Sequence, residues 1–146
     1  MDSAVITQVD GLPCFSVPEN GETRDGVPLS SVTVTKNNAP GATTLPETVW
    51  ITRVQPRGKT ILWKPQQCVR YGESPPSAKQ EQLSPLQPYQ IYSVMFKAIP
   101  EGSNLRGYHA EFCMVPDVAR KLRLQVVPWD EKASAWRYEL CAPGAK

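Results

Sequence analysis

The sequence is short of the residues that usually carry chemistry. Its 146 residues hold a single histidine, His109. No CxxC or HxxxH spacing accompanies it, so the close-spaced ligand pairs typical of zinc are missing. There is no GxSxG elbow, no GxGxxG and no phosphate-binding glycine loop, which leaves hydrolase and nucleotide-binding readings without a motif. Charge of one sign is not concentrated either. The 16 Lys and Arg stand against 14 Asp and Glu, a net charge of +2, and without a basic block electrostatics gives no reason to invoke nucleic acid. No apolar run approaches the roughly 20 residues of a membrane span. The opening MDSAVITQVDG carries Asp2 where an export signal would be basic, and no apolar stretch follows. Two explanations stand: a cytosolic chain, or a mature domain whose leader has been removed and replaced by Met1.

What is present describes a compact extracytoplasmic domain. Apolar residues make up 40% and charged residues 21%, a globular balance at a length that suits one domain spanning 1–146. The 15 prolines are spread along the chain and argue against long helices. The four cysteines, Cys14, Cys68, Cys113 and Cys141, are even in number and set in strand-like text, which suits two disulfides made in an oxidising compartment. Each half of the chain is bracketed by one pair, so the expected bridges are Cys14–Cys68 and Cys113–Cys141.

Strand periodicity supports the same class. AVITQV (4–9), LPCFSV (12–17), SSVTVTK (30–36) and TVWITRV (48–54) read as strands, and 48–63 as a hairpin across QPRGK. QCVRY (67–71) is a short strand. The polar stretch 72–88 reads as a surface loop whose one helical candidate is SAKQEQL (77–83). Residues 89–99, 107–115, 121–127 and 135–141 each alternate, with Tyr108, Ala110, Phe112 and Met114 on one face of the second and Trp136, Tyr138 and Leu140 inward on the last. Short turns join them. The expected fold is all-β: an antiparallel β-sandwich, immunoglobulin-like or related, stapled by disulfides.

His109 falls on the less apolar face of 107–115 with Glu111 and Cys113, and is expected to face solvent. It is four residues from Cys113, roughly 13 Å along a strand, too far for a Cys–His pair. We therefore assign no catalytic, metal or cofactor residue. Trp50, Trp136 and Tyr138 are expected in the core. Trp129, in VVPWDEKAS, stands in a hairpin connection, and with Arg57 and Tyr71 is a candidate partner-binding residue, these being side chains typical of binding hot spots. The segments 55–59, 71–88 and 128–134 that carry them are expected to gather at one end of the sandwich.

The motifs DGLPCFSVP, PQQCVRYG, LQPYQIYSVMF, YHAEFCMV and WRYELC, taken in this order, resemble the immunity lipoproteins of type VI secretion systems, periplasmic proteins of Gram-negative bacteria. The resemblance spans about residues 11 to 141. It implies no catalysis, but a protein that neutralises a cognate secreted effector toxin, for several such lipoproteins a lipase or phospholipase, by occluding its active site or substrate access. It implies no nucleic acid, and membrane attachment only through an N-terminal lipid anchor that this chain does not carry. The alternative from the residues alone is a non-catalytic carbohydrate- or peptide-binding module, or an adhesin-like domain.

Overall fold

In the computed structural model, residues 2–37, 46–54, 61–75, 78–98 and 106–144 are described. In chain order the strands are β1 (Asp2–Ser3), β2 (Val5–Val9), β3 (Leu12–Ser16), β4 (Val27–Lys36), β5 (Glu47–Val54), β6 (Leu62–Trp63) and β7 (Val69–Arg70). Then come β8 (Ala78–Leu83), β9 (Tyr92–Ala98), β10 (Arg106–Pro116), β11 (Leu122–Val126), β12 (Trp129–Asp130) and β13 (Ala135–Trp136), and a 3-10 helix at Tyr138–Cys141. They form an antiparallel sandwich. The large sheet runs β1-β10-β9-β4-β5-β8, with β11 added to β10 and β6 to β4. A three-stranded sheet, β2-β3-β7, covers its inner face, and β12-β13 is a separate hairpin. Among the described strands β1 alone joins the large sheet in parallel, and Pro88 adds an isolated parallel bridge to Met114.

Alternation places the core. Tyr92, Val94, Phe96 and Ala98 of β9 are buried together with Tyr108, Phe112 and Met114 of β10 and Val32 and Val34 of β4. Phe15 of β3 is the contact between layers, with ring centroids 6.1 Å from Trp50 and 5.6 Å from Phe112. A fully buried side chain of this size stabilises by about 1.5–3 kcal/mol, and offset or tilted ring contacts add to that. Both expected disulfides form. Cys14–Cys68 ties β3 to the residue preceding β7, with Cα atoms 5.3 Å apart, and Cys113–Cys141 ties β10 to the 3-10 helix at 5.9 Å.

Four local expectations need correction. The segment 48–63 is not a hairpin: β6 pairs with Val27 and Pro28 at the start of β4, while β5 lies between β4 and β8. A register shift between Leu29 and Ser31 marks where β4 passes from one set of partners to the next. The helical candidate at 77–83 is the edge strand β8 from Ala78 onward. Its charged text lacks an apolar helical stripe and is what a sheet edge tolerates, and β5 supplies the ladder partners. The closing segment 135–141 is strand only at Ala135–Trp136, then turns at Arg137 into the 3-10 helix, so Tyr138 is 38% exposed and not a core strand residue. Finally, the segments 71–88 and 128–134 do not make one cluster of loops: 71–88 includes the edge strand β8 and meets β10 at Pro88, which bridges Met114, while the β12-β13 hairpin lies beside His109 in the middle of β10. The turn 55–59, with Arg57, lies outside the described residues.

Candidate functional site

One face of β10 packs on the core; the other has a cover of its own, against the expectation that it faces solvent. Val127, Cys113 and Cys141 form a second buried cluster, with Ile91, Val115 and Trp136 packed on it. The cover is the β12-β13 hairpin and the 3-10 helix. A 3-10 turn advances about 6 Å and returns a side chain to the same side after three residues, close to the roughly 6.6 Å between alternate residues of a strand. Tyr138 and Cys141, three apart, therefore meet Glu111 and Cys113, two apart. The Tyr138 hydroxyl donates to Glu111 Oε2 at 2.6 Å, and the disulfide makes the second anchor.

Glu111 is 6% exposed, and among the described residues hydrogen-bond donors stabilise it. Asn37 Nδ2 donates at 2.8 Å and Ser93 Oγ at 3.2 Å to Oε1, complementing Tyr138 on Oε2. A buried carboxylate needs such donors to offset lost hydration. Burial, and then the hydrogen bond and charge of Glu111, push the Tyr138 hydroxyl up to about 12, so it remains a donor through the neutral range.

His109 is half-buried under this cover, its ring edge-on to Trp136 at 6.4 Å. Trp136 in turn meets Trp129 edge-on at 5.3 Å. Trp129 is opposite Trp136 across the hairpin and is 48% exposed. Asp130 closes the hairpin tip by accepting from the Lys132 and Ala133 amides at 3.0 and 3.2 Å. The result is an exposed indole on a short hairpin whose base is cross-linked to β10.

Beyond the hairpin the outer face of the large sheet continues across β9, β4 and β5. Strand register arranges it in ranks. The middle rank is His109, Met95, Thr33 and Ile51. The rank on one side is Lys97, Ser31, Arg53 and Lys79. A shallow depression there is lined by Ser31, Thr33, Thr48, Ile51, Arg53 and Lys97, among others.

Of the three partner-binding candidates, Trp129 is exposed as expected. Tyr71 is buried at 5%: it packs on Trp50 at 5.2 Å and its hydroxyl donates to Ser84 O at 2.6 Å. Burial holds that hydroxyl well above the usual tyrosine range. Tyr71 is thus a core residue, reaching only the floor of an apolar seam that Leu12, Leu83, Leu86 and Leu122 also line. The turn text around it concealed this, because a residue that ends an edge strand can fold inward as easily as outward. Sequence reasoning missed the Glu111 cluster and the basic rank. Both had signals: a glutamate inside an apolar strand, and Lys97 on the same parity as Ser93 and Met95.

Fold and bridges together define a disulfide-stapled antiparallel β-sandwich suited to an oxidising, extracytoplasmic environment. No helix among the described residues is long and apolar enough to cross a membrane. No protein-family model, curated protein or solved structure matches the chain.

Proposed function

We propose that this chain is a periplasmic immunity protein of a type VI secretion system, which binds a cognate effector toxin and blocks its active site or substrate access. The membership rests on the resemblance of the cysteine-bearing motifs. The observation that carries the binding role is Trp129: a half-exposed indole held against Trp136 on a cross-linked hairpin. An aromatic anchor fixed before binding loses little conformational entropy on association, and tryptophan dominates interface hot spots. A lasting block calls for an interface of about 1,600 Å² in total, more than the hairpin alone offers, so the adjoining sheet face belongs to it. In the full-length precursor a lipid anchor would hold the domain at the membrane where the toxin acts.

Co-expression with the effector gene beside its own tests this reading. The chain should co-purify with the effector and rescue cells from it, and Trp129→Ala should weaken the complex by about thirtyfold, corresponding to ~2 kcal/mol. Absence of both complex and rescue would refute it. A second reading, a carbohydrate-binding module, draws on the same indole and on the hydroxyls of Ser31, Thr33 and Thr48 that line the depression on the sheet face. Retention on immobilised cell-wall glycans, lost in Trp129→Ala, would favour it over immunity.

A further inference from the structure

At one end of the sandwich the two layers part over an open apolar groove of about 450 Å³. Tyr71 and Met114 form its floor and are buried. Leu12 of β3, Leu122 of β11, Leu83 at the end of β8 and Leu86 just beyond it form its walls. Leu12 is 38% and Leu83 51% exposed. Singly, such leucines are ordinary on a protein surface; gathered round one groove they mark a site. Gly11 and Gly72 also line it, with φ of +80° and +86°. That backbone disfavours any side chain at either position and so keeps the groove open.

The polar groups of the groove are already engaged. The Tyr71 hydroxyl donates to Ser84 O at 2.6 Å. The Ser84 amide donates to Val49 O and the Tyr71 amide to Pro13 O, both at 2.9 Å. Ser84 brings the other hydroxyl. A peptide laid here would bring backbone amides that need partners, and a buried amide without one is costly. An alkyl chain brings none.

A polar depression adjoins the groove and shares Gly11 and Leu122 with it. Gln8, Asp10, Lys121 and Arg123 complete its lining. Gln8 is held by Leu122 O and the Leu124 amide, both at 3.0 Å. Asp10 is paired with Arg70, which also holds Glu73, and Arg123 is paired with Asp117 at 2.9 Å. The Lys121 amide donates to Asp117 at 3.0 Å, while its side chain is exposed and follows the exposed Arg120. Lys121 therefore presents an ammonium beside the apolar groove.

We infer that the groove and the depression together bind a single-chain anionic amphiphile, its alkyl chain among Leu12, Leu83 and Leu86 and its head at Lys121. A long-chain carboxylate is the simplest such ligand. The groove has the size of a small-molecule site, mostly apolar with a few polar groups that fix orientation, and opposite charge selects the head. The inference goes beyond the immunity reading and does not depend on it.

The test titrates the whole chain calorimetrically with octanoate, decanoate and dodecanoate, with decanol, and with decyltrimethylammonium, all below their micelle concentrations. Affinity should rise about two- to fourfold per methylene along the carboxylates, and decanoate should bind more tightly than the cationic probe. Methyl spectra should shift at Leu12, Leu83, Leu86 and Met114. Leu83→Gln should weaken decanoate about tenfold or more. Leu62→Gln, as exposed as Leu83 but on β6, should leave binding unchanged. Lys121→Gln should weaken decanoate about three- to fivefold and leave decanol unaffected. An equal loss in Leu62→Gln, no dependence on chain length, or equal affinity for the cationic probe would overturn the inference. Binding to phosphatidylglycerol vesicles that Leu83→Gln abolishes, with no binding of monomeric decanoate, would overturn it too and make the groove a membrane contact. If Leu83→Gln lowers the unfolding midpoint, Leu83→Thr replaces it and the same comparison decides.

Discussion

The two faces of β10 are buried by different means. On the inner face Tyr108, Phe112 and Met114 join a continuous apolar core filled from both sheets. On the outer face His109, Glu111 and Cys113 lie beneath a short cover secured by one disulfide, one carboxylate with its donors, and one indole edge. The inner face gains from area, which is shared among many neighbours. The outer face depends on a few directed bonds, each of which can be removed singly. A core of the first kind defines the fold; a cover of the second kind can hold Trp129 out to solvent in a fixed pose.

Breaking the inner face should have the largest effect. Phe112→Ala removes a fully buried ring that touches Phe15 and Tyr92, and should cost about 3–5 kcal/mol in urea unfolding; a loss below about 1 kcal/mol would mean that the ring is not central to the core. The two bridges come next and separate the regions. Replacing Cys14 and Cys68 by Ser should lower global stability by about 2–4 kcal/mol, and hydrogen exchange should quicken throughout the sandwich. Replacing Cys113 and Cys141 should instead concentrate faster exchange in residues 127–144, with the large sheet retaining most of its protection.

The smaller effects sharpen the comparison within the cover. Tyr138→Phe removes one of the donors to buried Glu111 and should cost about 1–3 kcal/mol. The same hydroxyl sets an alkaline limit. Its folded value is raised, so its contribution is complete below the ordinary tyrosine range and is lost as pH rises through about 12. Ultraviolet titration should therefore show one fewer late-titrating tyrosine in Tyr138→Phe. His109→Ala should have the least effect, within about 0.5 kcal/mol, because among the described residues its ring contact in the cover is the edge of Trp136; a well-folded His109→Ala chain that lost protection altogether would give the imidazole a direct role.

The sequence made one side of this comparison legible and hid the other. Alternation over 107–115 identifies the inner row residue by residue, because a strand repeats every two positions and the core rewards the repeat. It cannot identify a cover that uses the opposite row once, through a hairpin of two-residue strands and one 3-10 turn. The closing WRYELC text alternates like a strand, yet its useful spacing is the three residues from Tyr138 to Cys141. The cysteine pairing was legible because each bridge stays within one half of the chain. Tyr71 was not, since nothing local distinguishes a turn tyrosine facing solvent from one whose hydroxyl reaches Ser84 O in the core. The partner of β6 was hidden for a related reason: a short connection suggests the preceding strand, but the start of β4 offered free ladder positions.

The central claim is that the outer face and its aromatic hairpin form the partner surface. Hydrogen exchange of the chain alone and in complex with the effector proposed as its partner measures this most directly. Binding should slow exchange in residues 31–35, 48–53, 93–97 and 129–136, with β2, β3 and β7 unchanged. Protection confined to the β2-β3-β7 layer, or to the apolar seam at Leu83 and Leu86, with the outer face unaltered, would contradict the account.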